Sequence, residues 1–547
     1  MKSTMPAVPL TIPLIFDHGR TVHGGSRVTS FSPEGRRDAT FAELADEADR
    51  LAVGLQRFGI APGDRVGTFC WNHQEHLAAY FAVPCIGAVL HTVNIRLFKD
   101  QIEYVINHGA DRALIVDASL LAKIEPLAEK LRTVELYVIV GGEPGAGAGA
   151  GLPARAISYE ELLAEPGATP ERPEIDENDA ASMCYTSGTT GNPRGVAYGH
   201  RSTFLHSLAQ CSGAAFSLSE HDRILLIVPM FHANAWGLPY SGWMVGADFL
   251  MPGPLLGGEP LAKIIVEDQA TFAPGVPTVL RDLLDTSLRN GADLSCLRLT
   301  LCGGAPVPAS LIEGFREHHG VPLLQGWGMT ETSPLAALSH PPRGSAPEEE
   351  LRWRTKSGRP IAGVQMRIMD EGGNELPWDG SSVGEIEVRG PWVTGSYYAE
   401  DTPEKFRDGW LRTGDVGYGD EKGYVQLTDR TKDVIKSGGE WISSVELENE
   451  LMGHPEVREA AVIGVPDERW DERPLACVVL AEGTSLEPAD LHSWLDGRVA
   501  RWWLPERWAV VSEIPKTSVG KFDKKALRAD FQDGRLSVQE LVQRASR

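Results

Sequence analysis

Through the first two thirds of the chain, helical patterns alternate with short apolar runs, and few folds accept that alternation. Residues 41–57, FAELADEADRLAVGLQR, place Leu44, Ala48, Leu51 and Leu55 on one helical face. Pro62-Gly63-Asp64 marks a turn, and RVGTFC after it reads as a strand. Asn72 is the expected N-cap of a helical stretch reaching Val89, with a break at Pro84. Ala113 to Val116 reads as the next strand, and a second strand–helix series runs from 180 to 340. Such repeats put parallel strands in a sheet with helices over its faces. The expected fold is α/β, with a large N-terminal domain of doubly wound sheets.

Beyond 355 the pattern changes. GVQMRIMD, GEIEVRG and GYVQLTD are short strands punctuated by Gly and Asp, which predicts a β-rich subdomain over 355–425. Asp429-Arg430-Thr431-Lys432-Asp433 is a charged junction. It is followed by a helix over 445–452, strands AAVIGV and ACVVLAE, a helix over 487–499 and a basic segment near 516–528. That is enough for a small, mobile α+β C-terminal domain of about 115 residues. The expected boundaries are 1–431 and 432–547. Residues 141–151, GGEPGAGAGAG, read as a flexible surface loop.

Composition narrows the partners. Lys and Arg total 52 against 75 Asp and Glu, a formal charge of −23. Nucleic acid is therefore not an expected partner, since phosphate backbones are bound through excess cations. A small anionic substrate stays open, because it needs only local donors. The seven cysteines are scattered without CxxC spacing and are expected to be reduced, buried thiols. The N-terminal apolar stretch is broken by prolines, and the run from Phe81 to Val93 falls short of the ~20 residues of a membrane span. A cytoplasmic protein without integral membrane contact is the expectation.

The strongest local signal is Tyr185-Thr186-Ser187-Gly188-Thr189-Thr190-Gly191-Asn192-Pro193-Arg194-Gly195, directly after the strand-like AASMCY. Its hydroxyls and backbone N–H groups can wrap a polyphosphate, and its glycines allow close approach. Read alone it is equally a surface turn. It is not a Walker A loop, for no GxxxxGK[ST] occurs.

With this loop the chain resembles the ATP-dependent adenylate-forming enzymes: acyl-CoA synthetases, firefly-type luciferases and adenylation domains of peptide synthetases. The loop is similar to their nucleotide loop, with Arg194 where Lys is usual; the charge is kept, but a planar fork replaces a point donor. Further motifs follow in the family's order as far as residue 522. Cys302-Gly303-Gly304-Ala305-Pro306 resembles the adenine-facing segment. In Gln325-Gly326-Trp327-Gly328-Met329-Thr330-Glu331-Thr332, the resemblance puts Trp327 near the adenine and Thr330 near phosphate. It implies that Glu331 and the Thr186 hydroxyl ligate Mg²⁺. Asp415, in WLRTGD, would accept the ribose hydroxyls. Arg430 would contact ribose or phosphate, and Lys432 would be the hinge pivot. Gly438, Gly439 and Trp441 would face the pantetheine tunnel of coenzyme A. Lys521, in PKTSVGKF, would be the catalytic lysine of adenylation.

In Pro229-Met230-Phe231-His232-Ala233-Asn234-Ala235-Trp236-Gly237, the resemblance places His232 at the acyl carboxylate and Trp236 as an indole gate, with Gly303 also in the acyl pocket. Read alone, His232 and Trp236 are a core pair under a turn. WGMTETSP and SGGEWISS fit the medium- and long-chain fatty acyl-CoA synthetase branch best. The implied activity is ATP-dependent ligation of a carboxylic acid to coenzyme A through an acyl-adenylate. A fatty acid is the first expectation; a short thioether acid such as 3-methylmercaptopropionate, an aryl acid, or loading of a carrier protein are the alternatives. Some relatives dimerise, so a homodimer is a weaker expectation.

Overall fold

The computed structural model describes the chain except residues 2, 143–151, 153–154, 187–191, 431, 438–439, 468, 482, 518–521 and 542–547, and only the backbone of 440–441. The expected Gly-rich loop therefore lies almost wholly outside the described residues. Among the described residues the strands form sheets of seven, nine, five and six strands.

The seven-stranded sheet is parallel up to Ala180–Tyr185, which then pairs antiparallel with Gly195–Gly199. The nine-stranded sheet has a parallel centre that includes Phe272–Gly275, Leu299–Gly303 and Leu323–Gly328. Its central strands Phe272–Gly275 and Leu299–Gly303 are buried along their length, as parallel strands covered by helices must be. The helix Phe41–Arg57 begins at a capping box made by Thr40 and Glu43 and buries Leu44, Ala48, Leu51 and Leu55, as its spacing predicts. Phe16, Phe41 and Phe81 stack around the buried Trp243. The α/β class and the paired sheets agree with the sequence reading.

The five-stranded sheet spans Gln365–Met369 to Val425–Arg430 and is the expected β-rich unit. From Ile435 onward the strands join the six-stranded sheet, with the helices Ser444–Met452, Pro488–Leu495 and Lys524–Gln532 beside it.

Two local expectations are corrected. The helix expected from Asn72 to Val89 is Gln74–Cys85 with His73 as its N-cap, and Val89 already opens a strand. Asn72 is instead a buried clamp: its amide donates to the carbonyls of Leu226 and Val228, and its oxygen accepts from the Met230 N–H. The helix expected over 487–499 stops at Leu495. In the basic segment Lys524 pairs with the buried Glu448 at 2.7 Å. All seven cysteines are free, and five of them are buried.

Candidate active site

The strands Leu299–Gly303 and Leu323–Gly328 pair in parallel, with Gly303 opposite Gly326. Open parallel sheets bind ligands beyond the carboxyl ends of their strands. A pocket lies there, lined by His232, Trp236, Gly303, Gly304, Gly326 and Trp327 among others, with a cavity volume of about 50 Å³. Of the expected site residues, His232, Trp236, Gly303, Gly304, Gly326, Trp327, Gly328 and Met329 thus line one pocket. Ala305 and Pro306 follow on the more exposed side of the same turn.

Two glycines leave little or no space for a side chain. A Cβ at Gly303 would sit 3.3 Å from Trp236 Cη2 and 3.1 Å from the Gly326 carbonyl. The indole therefore lies across this glycine. A Cβ at Gly328 would sit 1.8 Å from the Pro334 carbonyl oxygen. No side chain fits there without moving the backbone that carries Met329, Thr330 and Glu331.

Trp236 is the last non-glycine residue of a left-handed run: φ is 43° at Ala233, 49° at Asn234, 48° at Ala235 and 59° at Trp236. For L-residues this conformation costs roughly 1–2 kcal/mol each. The turn is held from three sides. The Asn234 amide donates to Ser182 Oγ at 2.8 Å. Its oxygen accepts from Thr92 Oγ1 at 3.2 Å and from Cys184 Sγ at 3.0 Å. Burial pushes the Cys184 thiol up to about 11, so it stays a donor. The Gln210 amide donates to the Trp236 carbonyl at 2.6 Å. Strain kept by surrounding structure is characteristic of functional sites.

On the other side of Trp327 the groups are charged. The Trp327 indole N–H donates to Asp415 Oδ2 at 2.9 Å, and Arg430 Nε lies 3.3 Å from Asp415 Oδ1. The sheet fixes this meeting, for Asp415 and Arg430 are register partners on neighbouring strands. Tyr198 donates to the Thr330 carbonyl at 2.7 Å. Glu331 Oε1 accepts from the Tyr397 hydroxyl at 2.7 Å. Burial and the Glu331 carboxylate push the Tyr397 phenol up, so it remains protonated. Arg194 lies 5.1 Å from the centre of the Tyr397 ring and pairs with Glu400 at 3.2 Å. Its backbone N–H donates to Thr186 Oγ1 at 3.0 Å.

Family comparison decides what this arrangement belongs to. The AMP-binding enzyme family matches residues 17–398, and its C-terminal domain matches residues 446–521. The chain belongs to the AMP-binding enzymes. It is 44% identical over 540 residues to a 3-methylmercaptopropionyl-CoA ligase of Ruegeria pomeroyi, covering 97% of this chain and 99% of the relative. It is 43% identical to a long-chain-fatty-acid–CoA ligase of Thermus thermophilus, covering 97% of each. Among solved structures, an anthranilate CoA ligase in complex with anthranoyl-AMP superposes with a TM-score of 0.87 at 27% identity, covering 98% of this chain and 100% of that one. The protein is an ATP-dependent acid–CoA ligase.

Not all of the ligase's expected site residues can be placed. Ser187, Gly188, Thr189, Thr190, Gly191, Gly438, Gly439 and Lys521 lie outside the described residues, and Trp441 is described only as backbone in the strand Glu440–Ile442. Lys432 is exposed. Its junction is more than a solvated linker: Asp429 is buried and accepts from the Ser444 N–H at 2.9 Å, and Asp433 pairs with Arg528 at 2.9 Å. Sequence reasoning missed Tyr397, Glu400, Asn234 and Gln210. Each acts across a long sequence separation, and none stands in a spacing that marks it. Among the described residues no helix is long and apolar enough to cross a membrane.

Proposed function

We propose that the ligase activates a short aliphatic carboxylic acid. The observation that carries this is the pocket. That cavity is small, about 50 Å³, with the edge of the Trp236 indole against Gly303, and a small cavity favours a short acyl chain. The name of the Ruegeria relative, a ligase of a short thioether acid, supports the same size. Swinging the indole aside would admit longer chains, which is the second reading that the Thermus relative supports.

In this reading His232 holds the acid's carboxylate. A carboxylate oxygen attacks the α-phosphorus of ATP, pyrophosphate departs, and an acyl-adenylate remains. The thiol of coenzyme A then attacks the acyl carbon and AMP departs. Asp415 orients the ribose, with Trp327 beside the adenine. The 186–191 loop, Arg194 and Lys521 spread the charge that builds at phosphorus. The donors at Thr186 and Glu331 suit Mg²⁺: both are hard oxygens, and one carboxylate completed by substrate phosphates is a usual site for that ion. When bound it supplies further neutralisation of phosphate charge. Residues 1–431 form the acid- and ATP-binding domain, and residues 432–547 turn about Lys432 to bring Lys521, then Gly438, Gly439 and Trp441, to the reaction. A homodimer in the cytoplasm completes the reading.

The test is incubation of the purified protein with ATP, Mg²⁺, coenzyme A and straight-chain acids from acetate to palmitate, with acyl-CoA and AMP resolved by mass spectrometry. The expected optimum falls between butyrate and hexanoate. An optimum at octanoate or beyond, or turnover of aryl acids alone, overturns the short-acid reading. AMP without thioester moves the acceptor to a carrier protein.

A further inference from the structure

We infer that Tyr397 is a positioning residue of the nucleotide face: its hydroxyl aims the Glu331 carboxylate at the cation that accompanies ATP. The inference rests on the reading of Thr186 and Glu331 as metal donors given above, and adds the group that sets their geometry. Tyr397 lies between the strands Gly384–Arg389 and Phe406–Arg407, far in sequence from both donors.

The segment around it is tied to both of them. On one side the Thr394 N–H donates to the Glu331 carbonyl at 2.8 Å. On the other the Tyr398 N–H donates to the Gly195 carbonyl at 2.8 Å, and Glu400 pairs with Arg194 at 3.2 Å. Arg194 in turn holds Thr186. The Thr186 N–H donates to the Arg194 carbonyl at 2.9 Å, and the Arg194 N–H donates to Thr186 Oγ1 at 3.0 Å. Residues 394–400 thus reach from one donor to the other, and Tyr397 stands in the middle of the span.

The Tyr397 side chain has little freedom. Its ring is buried in a cluster with Cys184, Val196 and Tyr198, and the Arg194 guanidinium lies 5.1 Å from its centre. Its hydroxyl donates to Glu331 Oε1 at 2.7 Å, since a carboxylate only accepts. A glutamate left to itself is a rotamer-rich side chain, and ordering it on binding costs entropy. Here the ordering is done before any ligand arrives. With Oε1 engaged, Oε2 is the oxygen offered to a cation. The carboxylate is the fixed point of a face whose Arg194 and Glu400 side chains stay part-exposed. Packing alone would be met by phenylalanine; the hydroxyl adds the bond to Glu331.

The experiment measures Mn²⁺ binding in the presence of α,β-methylene-ATP, by loss of the free-ion EPR signal. It also measures the Mg²⁺ concentration that half-activates ATP–pyrophosphate exchange. The proteins are wild type, Tyr397→Phe, Glu331→Gln and the double variant. Tyr397→Phe is expected to weaken Mn²⁺ binding and to raise the Mg²⁺ constant about tenfold, the usual scale for losing a partner that orients a metal-ligating carboxylate. KM for the acid should not move. In the Glu331→Gln background Tyr397→Phe is expected to add no further loss, because it acts through that carboxylate. Tyr397→Met repeats the measurements should the Phe variant unfold. Metal constants unchanged by Tyr397→Phe, or the same loss repeated in the Glu331→Gln background, overturn the inference and leave Glu331 as a metal donor. Metal constants unchanged by Glu331→Gln overturn the reading of Glu331 itself, and this inference with it.

Discussion

The proposed nucleotide face and acyl pocket share Trp327 as a wall, yet they are held in place by opposite means. On the nucleotide side, Asp415, Arg430, Arg194 and Glu400 meet as charge pairs from separate segments. Arg430 keeps 42% of its side chain exposed. An ion pair with an exposed partner contributes little, about 0–1 kcal/mol, and gives way readily to a ligand contact. On the acyl side the groups are neutral and buried, and the backbone of 233–236 is strained. Moving any one of Asn234, Ser182, Thr92 or Cys184 would strand the partners of the others. One face is therefore adjustable and the other is preset. Under the proposed function, substrate identity belongs with the preset face.

The largest effect that tests this division is expected from Lys521→Ala. It should lower ATP–pyrophosphate exchange by roughly 10²–10³-fold, the usual consequence of removing one group that stabilises developing negative charge. Thioester formation from supplied acyl-adenylate should stay largely intact, and the order of preferred acids should not change. Equal loss in both half-reactions would show that the lysine serves the whole site rather than the nucleotide face.

Asp415→Asn comes next. The amide keeps the shape but turns an NH₂ toward either the Trp327 N–H or the Arg430 guanidinium, so one donor faces another. Hydrogen bonds to a charged group contribute about 1.5–3 kcal/mol. KM for ATP should rise about 10–100-fold, with the acid profile preserved. A changed acid profile would mean that Trp327 transmits the loss into the pocket, and the two faces would not be separable.

This contrast also explains what could be read from the sequence. The alternation of helices and strands, and with it the α/β fold, follows from burial patterns local to each element, as in Phe41–Arg57. Gly303, Trp327, Glu331 and Asp415 stand in short contiguous motifs whose chemistry shows in the residue types themselves. The pocket is different. Nothing in Phe231-His232-Ala233-Asn234-Ala235-Trp236 marks a left-handed turn, since alanine avoids that conformation. The turn exists because Asn234 reaches Ser182, Thr92 and Cys184, which lie 52, 142 and 50 positions away. Gln210 and Tyr397 are hidden for the same reason. Their function is set by partners that only the finished sheets bring near. The reading of Asn72 as a cap failed likewise, because its amide serves the distant 226–230 segment.

The smallest expected effect concerns acid. His206 lies beneath the preset turn: its Nε2 accepts from the Leu335 N–H at 3.3 Å, and a Cβ at Gly237 would stand 2.7 Å from its Nδ1. Burial alone pushes this imidazole down to about 3. Between that value and the ordinary 6.5 the unfolded chain binds a proton that the folded chain refuses. Stability therefore falls as pH drops through this window, by up to about 1.4 kcal/mol per pH unit for one such group. His206→Gln removes that dependence while keeping an acceptor for Leu335. The stability gap between wild type and variant, read from unfolding midpoints at pH 7, 6, 5 and 4.5, should shift steadily in the variant's favour as pH falls. His76 and His200, also held neutral by burial, are common to both proteins and cancel. Parallel profiles would mean that the turn relaxes to admit the charged ring, and the acyl side would then be as adjustable as the nucleotide face.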